Sequence, residues 1–167
     1  MEKILLNGTY GYKNFIDENT KDSILHWVND NFDNFKINPS GPGRINRTIT
    51  KEDIIFDRVQ NIKKRVIELE GFNPETIDLS HRDYIGINLE GAFIHKHMDF
   101  NQGDLIHTRW NLILSYPQEG GHSIYNDQIN ILEENLIWKC VAGKVAHGST
   151  KVIGKKPRIT LSLGYML

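Results

Sequence analysis

Apolar and polar residues alternate with two different periods along this chain, and the change falls near residue 75. In ENTKDSILHWVNDNF, the positions Ile24, Leu25, Trp27, Val28 and Phe32 gather on one broad face, which predicts a helix capped by Asn19 or Thr20. His26 falls among them as a surface or satisfied core residue. A second helix is marked by Ile55, Val59, Ile62, Val66 and Leu69 at steps of four and three. Thr50 and Asp53 are spaced as its capping box, Gly71 stands where it should stop, and Lys63, Lys64 and Arg65 read as its solvated edge. Between the helices, NPSGPGRINRT (38–48) is rich in turn formers and reads as a connection or as a lid over a pocket.

From about Thr76 the period becomes two. IDLSHRDYIGINLE, AFIHKHMDF, HTRWNLILSYP, HSIYND, QINILEE, NLIWKCVAGKVAH and PRITLSLGYML are short segments separated by glycine, asparagine or proline, and they predict about seven strands. In RITLSLGY, Arg158, Thr160 and Ser162 share one face, while Ile159, Leu161, Leu163 and Tyr165 share the other. The apolar face should pack under the helices and leave the polar face lining a cavity. The pattern therefore predicts a mostly β, α+β fold of sandwich or jelly-roll type. It forms a single domain over 1–167, with 1–75 as helical support and 76–167 as the jelly-roll core.

Composition narrows the partners. Hydrophobic residues at 39% and charged residues at 25% describe an ordinary globular protein. A net charge of -1 offers no basic footprint, so nucleic acid is not indicated as an electrostatic partner. Cys140 is the one cysteine, its apolar surround predicts a buried, inert thiol, and no disulfide can form within the chain. MEKILLNGTYGY holds too short an apolar run for a signal peptide, and no run approaches the ~18 residues of a membrane span, so a cytoplasmic protein with no membrane partner is expected. Oligomeric state is left open.

The candidate chemistry lies in HKHMDF. On a strand, His95, His97 and Asp99 project to one face, and Lys96 and Met98 to the other. His147 in KVAHGST adds an imidazole, and Arg158 follows it in PRITLSLGY. Two histidines and a carboxylate with open coordination positions suit non-haem Fe(II). An arginine beyond the third ligand suits a bidentate clamp on a dicarboxylate, and an arginine inside a barrel is costly unless it meets an anion.

The arrangement HMD, then His147, then Arg158 and Thr160 resembles the Fe(II)- and 2-oxoglutarate-dependent dioxygenase superfamily, in its prolyl-hydroxylase-like branch, from Tyr84 to the C-terminus. The resemblance implies a double-stranded β-helix, with Fe(II) on His97, Asp99 and His147. The motif has one residue between histidine and aspartate, which favours His97 over His95 and leaves His95 near the pocket mouth. It places the distal carboxylate of 2-oxoglutarate on Arg158, with the Thr160 hydroxyl beside it, and a second anchor at Asn111, with Arg109 and Tyr116 as alternatives. It implies O2 as cosubstrate, ascorbate as an accessory, and decarboxylation of 2-oxoglutarate to succinate and CO2. A C–H bond of a prolyl or other amino-acid or peptidyl substrate is hydroxylated, so the partner is a peptide, protein or amino acid. Residues 41–44 and 99–107 could cover that substrate. Gly120 and Gly121 read as turn geometry, and His81, His107 and His122 as surface residues. Two other classes share parts of the pattern. A cupin-type metal protein would use the ligands without 2-oxoglutarate and has no need of Arg158; a non-catalytic β-sandwich would carry the histidines incidentally.

Overall fold

The computed structural model describes residues 1–73 and 82–167. In chain order the elements are β1 (Glu2–Leu6), β2 (Thr9–Lys13), α1 (Glu18–Asp30), β3 (Lys36–Ile37), β4 (Arg44–Thr48), α2 (Phe56–Glu70), β5 (Tyr84–Asn88), β6 (Ile94–His97), β7 (His107–Ser115), β8 (Glu119–Gly120), β9 (Ser123–Tyr125), β10 (Gln128–Asn130), β11 (Ile137–Cys140), β12 (His147–Ser149), β13 (Val152–Ile153) and β14 (Arg158–Met166). A large sheet runs β1-β2-β11-β7-β14-β5-β4-β3, a smaller one runs β10-β9-β12-β6, and β8 pairs with β13. Pairing is antiparallel throughout the large sheet, and the two main sheets enclose a cavity between them. This is a jelly-roll-like β-sandwich with helices outside, as the change of period predicts.

Alternation along the long strands decides which face is which. Ile85 and Ile87 of β5, Trp110, Leu112 and Leu114 of β7, and Ile159, Leu161, Leu163 and Tyr165 of β14 are buried in one core with Ile24, Trp27 and Val28 of α1 and Val59, Ile62 and Val66 of α2. Each fully buried Leu or Ile contributes roughly 1.5–3 kcal/mol, so this face holds the sheet to the helices. A smaller apolar cluster, including Ile113, Tyr125, Leu132, Leu136 and Trp138, lies on the opposite side of the large sheet.

The N-terminal third departs from its sequence reading. It supplies strands β1 to β4 as well as two helices, and these strands form both edges of the large sheet. β4 lies within the segment read as a connection or lid, and pairs with β5 from Arg44↔Asn88 to Thr48↔Tyr84. Ile45 is the one apolar residue of that strand that packs toward the core, which leaves too short an alternation to mark it. The preceding turn is pinned to β6: the His95 N–H donates to the Ser40 carbonyl at 2.9 Å. A Cβ on Gly41 would lie 1.8 Å from the Phe93 carbonyl oxygen, so no side chain fits there.

Helix ends also differ. Asp17, rather than Asn19 or Thr20, caps α1, accepting from the Thr20 N–H at 2.8 Å and the Thr20 hydroxyl at 2.7 Å. An ionised carboxylate answers the positive helix N-terminus better than a hydroxyl does. Thr50 and Asp53 do bond, with the Thr50 N–H donating to Asp53 at 2.8 Å, but they close a turn ahead of α2 instead of capping it. Gly71 ends α2 in the left-handed conformation, φ 63°, as expected.

Lys63 is not on the solvated edge. It is 3% exposed and pairs with Asp83 at 2.9 Å. Asp83 also accepts from the Gly164 N–H at 3.1 Å and from Gln60 at 3.2 Å, so one carboxylate joins α2, the start of β5 and β14. Asp83→Ala should therefore lower stability by about 3–5 kcal/mol, because the ammonium stays buried without its carboxylate. Chemical denaturation checks this, and a loss below about 1 kcal/mol would contradict it.

Candidate metal centre in the cavity between the sheets

β6 and β12 are neighbours, and their register sets His97 directly opposite His147. The two rings lie 4.4 Å apart between centroids. Asp99 follows two residues past the end of β6, held by its N–H to the Ala142 carbonyl at 2.8 Å. One ligand atom each from His97, Asp99 and His147 lies within 4.8 Å of the others. The three residues that the sequence nominates are brought together.

Hydrogen bonding prepares them as ligands. Nδ1 of His97 lies 2.7 Å from the His95 carbonyl, and Nδ1 of His147 lies 3.1 Å from that of Val145. A carbonyl only accepts, so each proton sits on Nδ1 and each Nε2 lone pair is left for an ion. Asp99 divides its two oxygens. Oδ1 is 3.3 Å from His97 Nε2, whereas Oδ2 is 3.2 Å from His107 Nδ1 and 3.8 Å from Arg109 Nε. His107 is thus not a surface residue: at 4% exposure it buttresses the carboxylate.

The charges follow from that packing. Burial works to raise the Asp99 carboxyl, but the His97 hydrogen bond and the charges of His147, His107 and Arg109 hold it at about 2. The hydrogen bond to Asp99 raises His97 above the usual imidazole value, whereas burial lowers His147. Once His97 Nε2 is free of its proton, two imidazoles and one carboxylate on one side of a cavity fit an octahedral divalent ion with open positions.

The cavity has a volume of about 390 Å³. Its other wall is the polar face of the large sheet, laid out in rows: Arg44, Asn88 and Arg158; then Asn46, Gly86 and Thr160; then Tyr84, Ser162, Asn111 and Trp138. Arg158, Thr160 and Asn111 all line this cavity. Arg158 is 5% exposed and donates to the Gly121 carbonyl and the Ser123 hydroxyl, both at 2.9 Å. Its Nε makes no hydrogen bond, and no carboxylate among the described residues pairs with it. Burial pulls its pKa down to about 10, so it remains a cation.

Several other residues resolve here. Of the alternatives to Asn111, Arg109 lines the cavity, whereas Tyr116 is absent from its wall and its hydroxyl lies 2.7 Å from His122 Nδ1. His122 is accordingly half-buried and bonded, not a plain surface residue. His95 is exposed beside the cavity mouth, with Pro39, Met98 and Phe100 around it. His81 lies outside the described residues. Cys140 is buried, and burial pushes its thiol up, away from thiolate chemistry. Gly120 and Gly121 take φ of 68° and 62°, as turn residues.

Sequence reasoning placed Arg44 in a segment that could cover the substrate, not on a cavity wall, and gave Tyr84 no role in the site. The Arg44 guanidinium donates to the Ser40 hydroxyl and, at 3.3 Å, to the Tyr84 hydroxyl. Arg109 stacks 4.7 Å over the Tyr84 ring. Burial pushes the Tyr84 phenol up, but Arg109 and Arg44 outweigh it and leave the pKa below its usual value. The alternation of Tyr84, Gly86 and Asn88 with Ile85, Ile87 and Leu89 was the available signal.

No protein-family model matches the sequence, and no curated protein matches it. The fold, however, is that of the Fe(II)/2-oxoglutarate oxygenases, prolyl hydroxylases among them. A prolyl hydroxylase from Trichoplax adhaerens, in complex with a hypoxia-inducible-factor peptide, superposes with a TM-score of 0.76 at 14% identity over 96% of this chain and 84% of that one. A Pseudomonas putida prolyl-4-hydroxylase gives 0.73 at 12% identity over 95% and 91%. HygX from Streptomyces hygroscopicus, with nickel and 2-oxoglutarate bound, gives 0.72 at 9% identity over 95% and 82%.

Two outcomes follow for metal binding. A metal must displace any proton on His97, so Mn(II) affinity should fall by up to about tenfold per pH unit once the pH drops below the raised His97 value, while Asp99 stays ionised. Titration calorimetry between pH 7.5 and 5.5 checks this, and an unchanged affinity would contradict it. His107→Ala should weaken the metal by about 10–100-fold through loss of the Asp99 buttress.

Proposed function

We propose that the protein is an Fe(II)- and 2-oxoglutarate-dependent oxygenase that hydroxylates a C–H bond of a prolyl or other amino-acid or peptidyl substrate. The observation that carries this reading is the sharing of one cavity by the His97, Asp99 and His147 cluster and the buried Arg158, which pairs with no carboxylate among the described residues. Under this reading the strands form a double-stranded β-helix, within one domain over 1–167.

His97, Asp99 and His147 hold Fe(II), with His107 and Arg109 steadying the far oxygen of Asp99. Arg158 takes the distal carboxylate of 2-oxoglutarate in a bidentate pair, with the Thr160 hydroxyl beside it. Asn111, in the row beyond, is the second anchor. When bound, iron and 2-oxoglutarate supply the oxidising chemistry together with O2, and the cosubstrate is consumed to succinate and CO2. The protein contributes orientation. Ascorbate is an accessory. The peptide bound by the Trichoplax neighbour supports a peptidyl substrate. A cytoplasmic setting is part of the proposal; no helix among the described residues is long and apolar enough to cross a membrane.

A cupin-type site without 2-oxoglutarate would leave Arg158 buried and unanswered, which disfavours it. The direct test supplies Fe(II), ascorbate, O2 and 2-oxoglutarate and measures succinate. Its absence, with metal bound, would overturn the proposal. Arg158→Ala should raise the 2-oxoglutarate Kd by about 10–100-fold and spare metal binding; equal loss of both in a folded variant would count against its role. His97→Ala should abolish turnover, whereas His95→Ala should only reduce it, and the opposite ranking would exchange their roles.

A further inference from the structure

With a divalent ion bound, the cavity would carry more positive charge than Asp99 and one dicarboxylate offset. Arg44, Arg109 and Arg158 all line it, against Asp99 as the carboxylate among the described lining residues. Arg109 is directed to Asp99 and the Tyr84 ring. Arg158 is taken by the cosubstrate in the reading above. Arg44 is left over.

Arg44 is 8% exposed. Its side chain donates to the hydroxyls of Ser40 and Tyr84, and its Nε makes no hydrogen bond. No carboxylate among the described residues pairs with it. Burying a guanidinium on these terms is costly unless an anion completes the site. Position separates it from the cosubstrate anchor. Arg44 and Arg158 flank Asn88 in one row across β4, β5 and β14, so their backbones stand about 10 Å apart. Within the next row, a Cβ added to Gly86 would lie 3.8 Å from Arg44 Nη2, so the guanidinium leans over a floor that has no side chain. It lines the same cavity as His97 and Arg158.

We propose that Arg44 binds a carboxylate of the substrate itself, so that this enzyme acts on a carboxylate-bearing molecule whose oxidised C–H bond lies next to that anchor. The proposal rests on the oxygenase reading and names its substrate class. The carboxylate could belong to a free acid or to an acidic residue of a peptide, and the test separates these sources.

Protein loaded with Mn(II) and 2-oxoglutarate, without O2, is titrated calorimetrically with matched pairs: L-proline and L-prolinamide, L-glutamate and L-glutamine, and an end-blocked Pro-Glu dipeptide and its Pro-Gln counterpart. In the free-acid or the peptide arm, the acid should bind at least about tenfold more tightly than its neutral partner, and Arg44→Gln should remove that difference. The 2-oxoglutarate Kd should move far less in Arg44→Gln than in Arg158→Ala. Equal binding of acid and amide, no binding of any acid, or loss of 2-oxoglutarate affinity matching that of Arg158→Ala would each overturn the proposal. If Arg44→Gln does not fold, the pairs measured on the unaltered protein decide alone. Binding of 2-oxoglutarate to the Mn(II) protein is recorded first, so its failure tells against the oxygenase reading and is distinguishable from failure of the Arg44 assignment.

Discussion

Tyr84, Arg109, Asn111 and Arg158, polar side chains that the large sheet offers to the cavity, each stand next to one locked in the helix-covered core. Tyr84 precedes Ile85, Arg109 precedes Trp110, Asn111 precedes Leu112 and Arg158 precedes Ile159, with the second member of each pair buried. Because side chains alternate across a strand, a slip of one residue would drive the arginines into the core and the aliphatics into the cavity. The geometry of the site is thereby enforced by the burial of residues that never touch a ligand. The Lys63 and Asp83 pair adds a polar lock at the same place, since Asp83 immediately precedes Tyr84 and bonds to the backbone of Gly164.

Electrostatics complete what packing begins. Asp99 is asked to serve two masters: one oxygen faces His97, and the other is engaged by His107 and Arg109. That division orients the carboxylate before any ion arrives, so ligand geometry need not be assembled by the metal. Arg44 and Arg158 have the opposite character. Their side chains donate to hydroxyls and a carbonyl, and no carboxylate among the described residues pairs with them.

Much of this was legible in the residues. The period-two alternation of RITLSLGY identified both faces of β14, and the spacing within HMD with a later histidine and arginine picked out a cluster that the fold does bring together. What was not legible depends on pairing between distant segments. β4 carries one inward apolar residue and becomes a strand because β5 offers it an edge, so Arg44 could not be assigned to a cavity from its neighbours in sequence. His107 looked incidental because its partner, Asp99, meets it only through a loop reversal. Lys63 sat in a run of basic residues, and nothing local reveals that an aspartate beyond the helix draws it inward.

The close fit of Gly41 against the Phe93 carbonyl bears on how molecules enter. The turn before β4 is fused to the backbone of β6, the strand that bears His97, so this side of the entrance is masonry and not a hinged flap. A visiting molecule meets a threshold already cut to shape at folding, and a bulkier residue at position 41 would pry apart the strand of His97 and the strand of Arg44 together.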